Sequence, residues 1–278
     1  MKNTDDKVVV MNLPDFRDLN ENRNITLNKT DVAPVDCLGY TIFSNPFLPD
    51  RLMSGKTIIN TINPHCYIVA KKDHIYSQAL KKSTILIPDG IGIIWAIKVL
   101  NQQKIIRFSG SELHAQLLQK MNRIKGKVFY LGSSDSTLQK IHEKIEKEYP
   151  NIRIASYSPP YKAVFTKEEN NQMVTIINKF QPDVLFVGMT APKQEKWVHQ
   201  FKDQLNVKVI ASVGAVFDFY AGMVKRPGKF WISTGLEWLP RFLREPKRLW
   251  RRNLISTPSF IGIVIYEKCK MLVQSLEN

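Results

Sequence analysis

From about residue 37 onward the chain alternates two kinds of hydrophobic pattern. Short β-branched runs come first: TIINTI (57–62), TILIPD (84–89), KVFYLG (127–132), IRIASY (152–157), DVLFVG (183–188) and KVIASV (208–213). Near-continuous apolar runs of this length, bounded by turn residues, predict buried strands. Longer segments lie between them, with apolar positions three or four residues apart. In DSTLQKIHEKIEKEY, Leu138, Ile141 and Ile145 fall on one face and the charges on the other, the 3.6-residue period of an amphipathic helix. Helices are expected over 65–73, 91–100, 111–123, 136–149, 167–180 and 192–205. Strands alternating with helices predict an α/β fold, a Rossmann-like, mostly parallel sheet with right-handed crossovers and helices on both faces.

Three regions follow from the pattern. Residues 1–35 are polar, rich in Asn and Asp, and read as a poorly ordered arm with one short strand at Val8–Met11. Residues 36–224 form the α/β core. After Gly222 the alternation stops, and 225–278 reads as a basic helical tail whose helices are punctuated by Pro227, Pro240, Pro246 and Pro258.

In open parallel sheets, ligands bind at the carboxyl ends of the strands, so the residues there are the candidates. The first strand runs into Thr61-Ile62-Asn63-Pro64. This is either a helix start, with a polar cap before a first-turn proline, or a pair of substrate hydrogen-bonders. The second ends in Pro88-Asp89-Gly90, where Asp89 is either a turn residue or a general base beside a substrate hydroxyl. The third ends in Gly132-Ser133-Ser134, small residues before a helix that suit a phosphate, although the other glycines of the dinucleotide fingerprint are missing. The fifth ends in GMTAPKQEKW, where Gln194, Glu195 and Lys196 crowd a helix start more than capping requires. The sixth leads into GAVFDFYAG, where Asp218 is either a satisfied carboxylate or a contact to sugar or base.

Charge narrows the partner. The formal net charge of the 278 residues is +15, which favours an anionic partner: nucleic acid, acidic lipid or a phosphate-bearing substrate. Residues 225–252 hold nine Lys or Arg against two Glu, a net of +7. In GLEWLPRFLREPKRLWRR (235–252) these alternate with aromatics and leucines, a pattern for an interfacial helix. The apolar runs are too short for a membrane-spanning helix, and MKNTDDKVVVMNLPDF does not read as a signal peptide. Three widely spaced cysteines fit a reducing compartment. The five histidines show no metal pairing, no Gly-x-Ser-x-Gly elbow occurs, and no Asp-x-Asp pair offers the commonest grip on a nucleotide-bound divalent ion.

PDGIGI, RFSGSEL (107–113), LFVGMTAPKQEKW and VGAVFDFYAGMVKRP, followed by GLEWLPR and EPKR, occur in an order and spacing that resemble the WecG/TagA/CpsF glycosyltransferases (family 26). The resemblance runs from about Val35 to Arg252. It implies an inverting, metal-independent transfer, without a cofactor, from a UDP-sugar to a polyprenyl-diphosphate-linked saccharide acceptor. The setting is the inner face of the bacterial plasma membrane, in the synthesis of teichoic acid linkage units, enterobacterial common antigen, capsule or exopolysaccharide. It places the catalytic carboxylate at Asp89, active-site polar groups at Thr61 and Asn63, and a glutamine at Gln194. Tail arginines that approach the site fall at Arg241, Arg248 and Arg251, and nucleotide contacts at Arg107, Gly132, Gly188 and Asp218. N-acetylmannosamine, its uronic acid, and another hexose or uronic acid stay open as donor sugar, as does assembly into a homo-oligomer. A nucleic-acid binder and an inactive scaffold of the same fold are the alternatives; the polar strand ends of a parallel α/β core argue against the first.

Overall fold

A computed structural model describes residues 33–43, 45, 48, 52, 54–224, 228, 231 and 238–277, apart from the side chains of Arg241 and Arg248. The strand expected at Val8–Met11 and most of the expected arm lie outside the described residues. The described chain opens with a small antiparallel hairpin, β1 (Val35–Cys37) and β2 (Tyr40–Ile42).

All six strands read from the sequence form one parallel sheet: β3 (Thr57–Ile62), β4 (Ile85–Pro88), β5 (Lys127–Gly132), β6 (Arg153–Tyr157), β7 (Val184–Gly188) and β8 (Val209–Ser212). Their spatial order is β4-β3-β8-β7-β5-β6. The helices between them are α1 (Pro64–Ala70), α2 (His74–Lys81), α3 (Ile91–Asn101), α4 (Gly110–Ile124), α5 (Asp135–Glu148), α6 (Lys167–Phe180) and α7 (Lys193–Phe201), and α8 (Val216–Tyr220) follows the last strand.

Side chains alternate across the sheet and build two cores. Ile59, Ile87, Val128, Tyr130, Val184, Phe186 and Val209 pack with residues of α4, α5 and α8 on one face. Phe129, Leu131, Leu185, Val187 and Ile210 pack with α6 and α7 on the other. A third cluster joins the hairpin, α1, α2, α3 and the last helix. Each large aliphatic residue fully withdrawn from water contributes about 1.5–3 kcal/mol.

Two elements differ from expectation. The helix predicted over 65–73 ends at Ala70 because Asp73 starts another: its carboxylate accepts the Tyr76 N–H at 3.0 Å as the cap of α2. The tail is less separate than its prolines suggest. α9 (Trp238–Arg244) is followed by α10 (Pro246–Trp250), a π-helical turn (251–256) and α11 (Thr257–Glu277). The last three follow one another without a gap: Pro246 opens the first of them, where no intrahelical donor is needed, and Pro258 follows directly on the π-helical turn. α11 seats Phe260 and Val264, both fully buried, against α1 and α3. The Phe260 ring meets Tyr67 edge-on at 5.3 Å. No helix among the described residues is long and apolar enough to cross a membrane.

Candidate active site

The carboxyl edge of the sheet carries two clusters of the expected residues. The first lies at β3 and β4, whose register pairs Thr61 with Ile87 and Ile62 with Pro88. The pairing continues one residue further, with the Asp89 N–H donating to the Ile62 carbonyl at 2.8 Å. Asn63 caps α1, its side-chain oxygen accepting the Cys66 N–H at 3.0 Å. Its helix-start reading therefore holds. Asp89 is different. The cap of α3 is Gly90, at φ +91° and with no side-chain cap bond, so the half-buried Asp89 carboxylate is not used to cap that helix. The two turns are in close contact, since a Cβ on Gly92 would lie 2.4 Å from Pro64 Cγ. Thr61, Asn63 and Asp89 are thus brought together.

The second cluster lies at the switch point, where the connection leaving β5 runs one way along the sheet and that leaving β7 the other. Gly132 and Gly188 are register partners there. Gly132 has φ +112°, and a Cβ on it would meet the Gly188 carbonyl oxygen at 2.5 Å. A Cβ on Gly188 would lie 2.4 Å from the Phe217 ring. These glycines let the backbone close down at the crevice. Ser134 caps α5 through the Thr137 N–H, and the Ser158 hydroxyl donates to the Ser133 carbonyl at 2.8 Å, tying the 158–165 loop to this edge. Asp218 is half-buried in α8; Arg107 is half-buried in the connection between α3 and α4.

Between the clusters, Gln194 is 3% exposed. Its side-chain oxygen accepts the Met189 N–H at 3.1 Å, and its amide nitrogen donates to Glu195 Oε1 at 2.8 Å. A Cβ on Gly214, at the end of β8, would lie 3.6 Å from both amide atoms. Gln194 therefore braces the end of β7 by a hydrogen bond and lies beside the end of β8. Of the other two polar residues expected to crowd this helix start, Lys196 pairs with Asp73 of α2 at 2.8 Å. Glu195 is 1% exposed, and burial pushes its carboxyl group up to about 7, against the opposing pull of the Gln194 hydrogen bond.

The tail reaches the first cluster. His65 Nδ1 and the Ser256 hydroxyl are hydrogen-bonded at 2.8 Å. His65 is held below the usual histidine range by burial and then by the positive charge of Arg252. From Ser256, α11 descends along α1 to Phe260, so the π-helical turn before it lies at the sheet's carboxyl edge. Arg251 is exposed, its guanidinium 5.4 Å from the Trp250 ring centroid. Arg241 and Arg248 lie in α9 and α10, and their side chains fall outside the described residues. The crowding at 194–196 singled out Glu195 in the sequence, whereas no sequence signal pointed to Ser256 or Arg252, the two tail residues that act on His65. Among the described residues no group of three or more His, Cys, Asp or Glu is assembled for a metal.

Comparison with known proteins adds an independent line. Residues 34–273 match the model described as the glycosyl transferase WecG/TagA/CpsF family. A Bacillus subtilis (strain 168) protein named N-acetylglucosaminyldiphosphoundecaprenol N-acetyl-beta-D-mannosaminyltransferase is 32% identical over 211 residues, covering 76% of this chain and 80% of the relative. A Staphylococcus aureus (strain MW2) protein of the same name is 28% identical over 253 residues, covering 87% of this chain and 96% of its own.

Proposed function

The chain belongs to the WecG/TagA/CpsF family of glycosyltransferases, and on that premise we propose that it transfers a sugar from a UDP-sugar to a saccharide carried on a polyprenyl diphosphate, in the synthesis of a bacterial cell-surface polymer. The relatives' names give N-acetylglucosaminyl-diphosphoundecaprenol as acceptor and N-acetylmannosamine as the sugar moved; these are the first substrates to assign to this chain.

The observation that carries the reading is the placement of Asp89. It stands at the end of β4, a buried strand at the edge of the sheet, beside the Asn63 turn, with its carboxylate not used to cap the helix that follows. The acceptor hydroxyl oxygen attacks the anomeric carbon while Asp89 takes its proton. The bond from that carbon to the nucleotide diphosphate breaks on the opposite side, so the configuration inverts. Thr61 and the Asn63 amide N–H groups orient the reacting sugars; the side-chain oxygen of Asn63 already serves its cap, leaving the nitrogen as donor. The nucleotide lies across the Gly132–Gly188 crevice, with Arg107 and Asp218 as its polar contacts. Strand spacing puts β3 about 14 Å from β5, a span that a nucleotide-diphosphate sugar can bridge.

Negative charge grows on the leaving diphosphate and calls for fixed cations. Arg241, Arg248 and Arg251 of the tail take this role, the guanidinium fork matching phosphate oxygens. The tail's attachment to α1 through His65 and Ser256 supports its approach to the site. Exposed Trp238, Leu243, Trp250 and Leu254 on the same segment support a peripheral seat on an anionic membrane.

The test is a panel of UDP-sugars offered with N-acetylglucosaminyl-diphosphoundecaprenol, following release of UDP and extension of the lipid. UDP-N-acetylmannosamine is expected to give both. No extension of the acceptor with any donor overturns the reading.

A further inference from the structure

We propose that Glu195 is a positioning residue of the transferase site: through Gln194 it holds the turn that ends β7, against which the end of β8 packs, and turnover depends on that hold. This rests on the reading that transfer takes place at the carboxyl edge of the sheet.

The geometry is a short relay. Glu195 Oε1 accepts from the Gln194 amide nitrogen at 2.8 Å, and the Gln194 oxygen accepts the Met189 N–H at 3.1 Å. Met189 follows Gly188, the residue that closes the crevice against Gly132. The same amide lies against Gly214, where φ is +54° and β8 turns into α8, the helix that carries Asp218. With Met189 and Glu195 fixing its two ends, the Gln194 side chain has one orientation. Without Glu195 the amide nitrogen loses its acceptor and the rotamer is no longer set from below.

Stability gives no reason for a carboxyl group here. Glu195 is almost fully buried, and its Oε2 has no hydrogen-bond partner among the described residues. Burying such a group costs free energy that an apolar side chain of similar size would not. The titratable groups that face it are Cys66 of α1 and Tyr76 of α2. Both thiol and phenol are pushed upward and stay neutral, so neither offers a counter-charge; Arg252 acts on Cys66 but does not figure among the influences on Glu195. A costly acceptor kept in a buried position, whose one side-chain partner is the Gln194 amide that holds the turn after β7, points to a positional role.

Ionisation strengthens the relay, because an N–H donating to a carboxylate makes the stronger bond. The carboxyl group titrates at about 7, so part of the pH dependence of turnover arises here.

The test uses the full chain in the purified transfer assay. Glu195→Met keeps the volume, removes the acceptor and relieves the burial cost. It is expected to stay close to wild-type thermal stability, the relieved burial cost offsetting the amide N–H left without its acceptor, while kcat falls about tenfold, with a smaller change in donor KM. Glu195→Gln keeps an acceptor oxygen and is expected to restore most of kcat, but to lose the component of the pH–kcat curve centred near 7. A Glu195→Met protein with wild-type kcat overturns the proposal. So does a pH–kcat curve identical in Glu195→Gln and wild type, a comparison that stands if Glu195→Met fails to fold. Asp89→Asn, run in parallel, separates the two readings. Its inactivity beside a fully active Glu195→Met overturns the Glu195 inference alone. Full activity of Asp89→Asn contradicts the placement of the site itself.

Discussion

The backbone N–H of Asp89 donates to the carbonyl of Ile62 at 2.8 Å, extending the β3–β4 pairing past its last strand residue. This bond holds the carboxylate beside Asn63 without using the side chain. Because α3 is capped by Gly90, the carboxylate is also dispensable for the helix. Asp89→Asn is therefore expected to keep the wild-type thermal midpoint while turnover falls about 100-fold, the share general base catalysis commonly supplies. Calorimetry and initial rates on the same preparation check both halves.

Gly188 supports a steric prediction. A methyl group there would fall 2.4–2.8 Å from three atoms of the Phe217 ring, which is itself fully buried in the core. Gly188→Ala is expected to cost about 1–3 kcal/mol, as overpacking of a tight core does, and to weaken UDP binding by distorting the crevice. Adding Phe217→Leu is expected to recover part of the stability. Denaturant melts and titration calorimetry with UDP measure the two effects.

Glu195 links stability to pH with an unusual sign. Its folded-state pKa of about 7 lies above the ordinary carboxyl value of 4.5, so the folded chain holds this proton more tightly than the unfolded chain. Below about pH 4.5 both states are protonated and nothing is lost. As pH rises through the window from 4.5 to 7 the unfolded state ionises first, and stability falls by up to about 3 kcal/mol. The advantage of Glu195→Gln over wild type is thus expected to be small at pH 5 and fully developed above pH 7. Urea melts at pH 5 and pH 8 give the comparison.

How much of this was legible in the chain depended on the length of the pattern. The six core strands each carry four to six residues of the sheet, enough for their runs to stand out. The hairpin strands at 35–37 and 40–42 carry three residues each, too few to show a period. HIYSQALK at 74–81 was not assigned as a helix, being a short segment between the helix expected over 65–73 and the strand at 84–89. Its cap Asp73 and its buried Tyr76, Ala79 and Leu80 are plain only once the helix is seen. Asp89, Thr61 and Asn63 could be named as candidates because strand ends are where parallel sheets bind ligands. The burial of Glu195 was not legible, since a glutamate between glutamine and lysine looks like a solvated helix face. Long-range packing against Cys66 and Tyr76 decides it, and no local pattern encodes that.

The tail calls for point substitutions rather than truncation. Cutting after Gly222 would remove Phe260 and Val264 from the core, so lost activity would report unfolding. Leu243, Trp250 and Leu254 are all exposed. Replacing the three by Asn is expected to leave the thermal midpoint unchanged and to abolish sedimentation with anionic vesicles. Reversing two of the tail's basic residues is expected to weaken that binding by roughly 1 kcal/mol for each positive charge removed.

The most direct measurement of the central claim is a purified transfer assay with UDP-N-acetylmannosamine and N-acetylglucosaminyl-diphosphoundecaprenol, comparing wild type with Asp89→Asn at equal folded concentration. The account predicts a β-linked disaccharide on the lipid with wild type and at least about 100-fold slower formation with the variant. Equal rates for the two proteins, or a product that retains the donor's anomeric configuration, would contradict it.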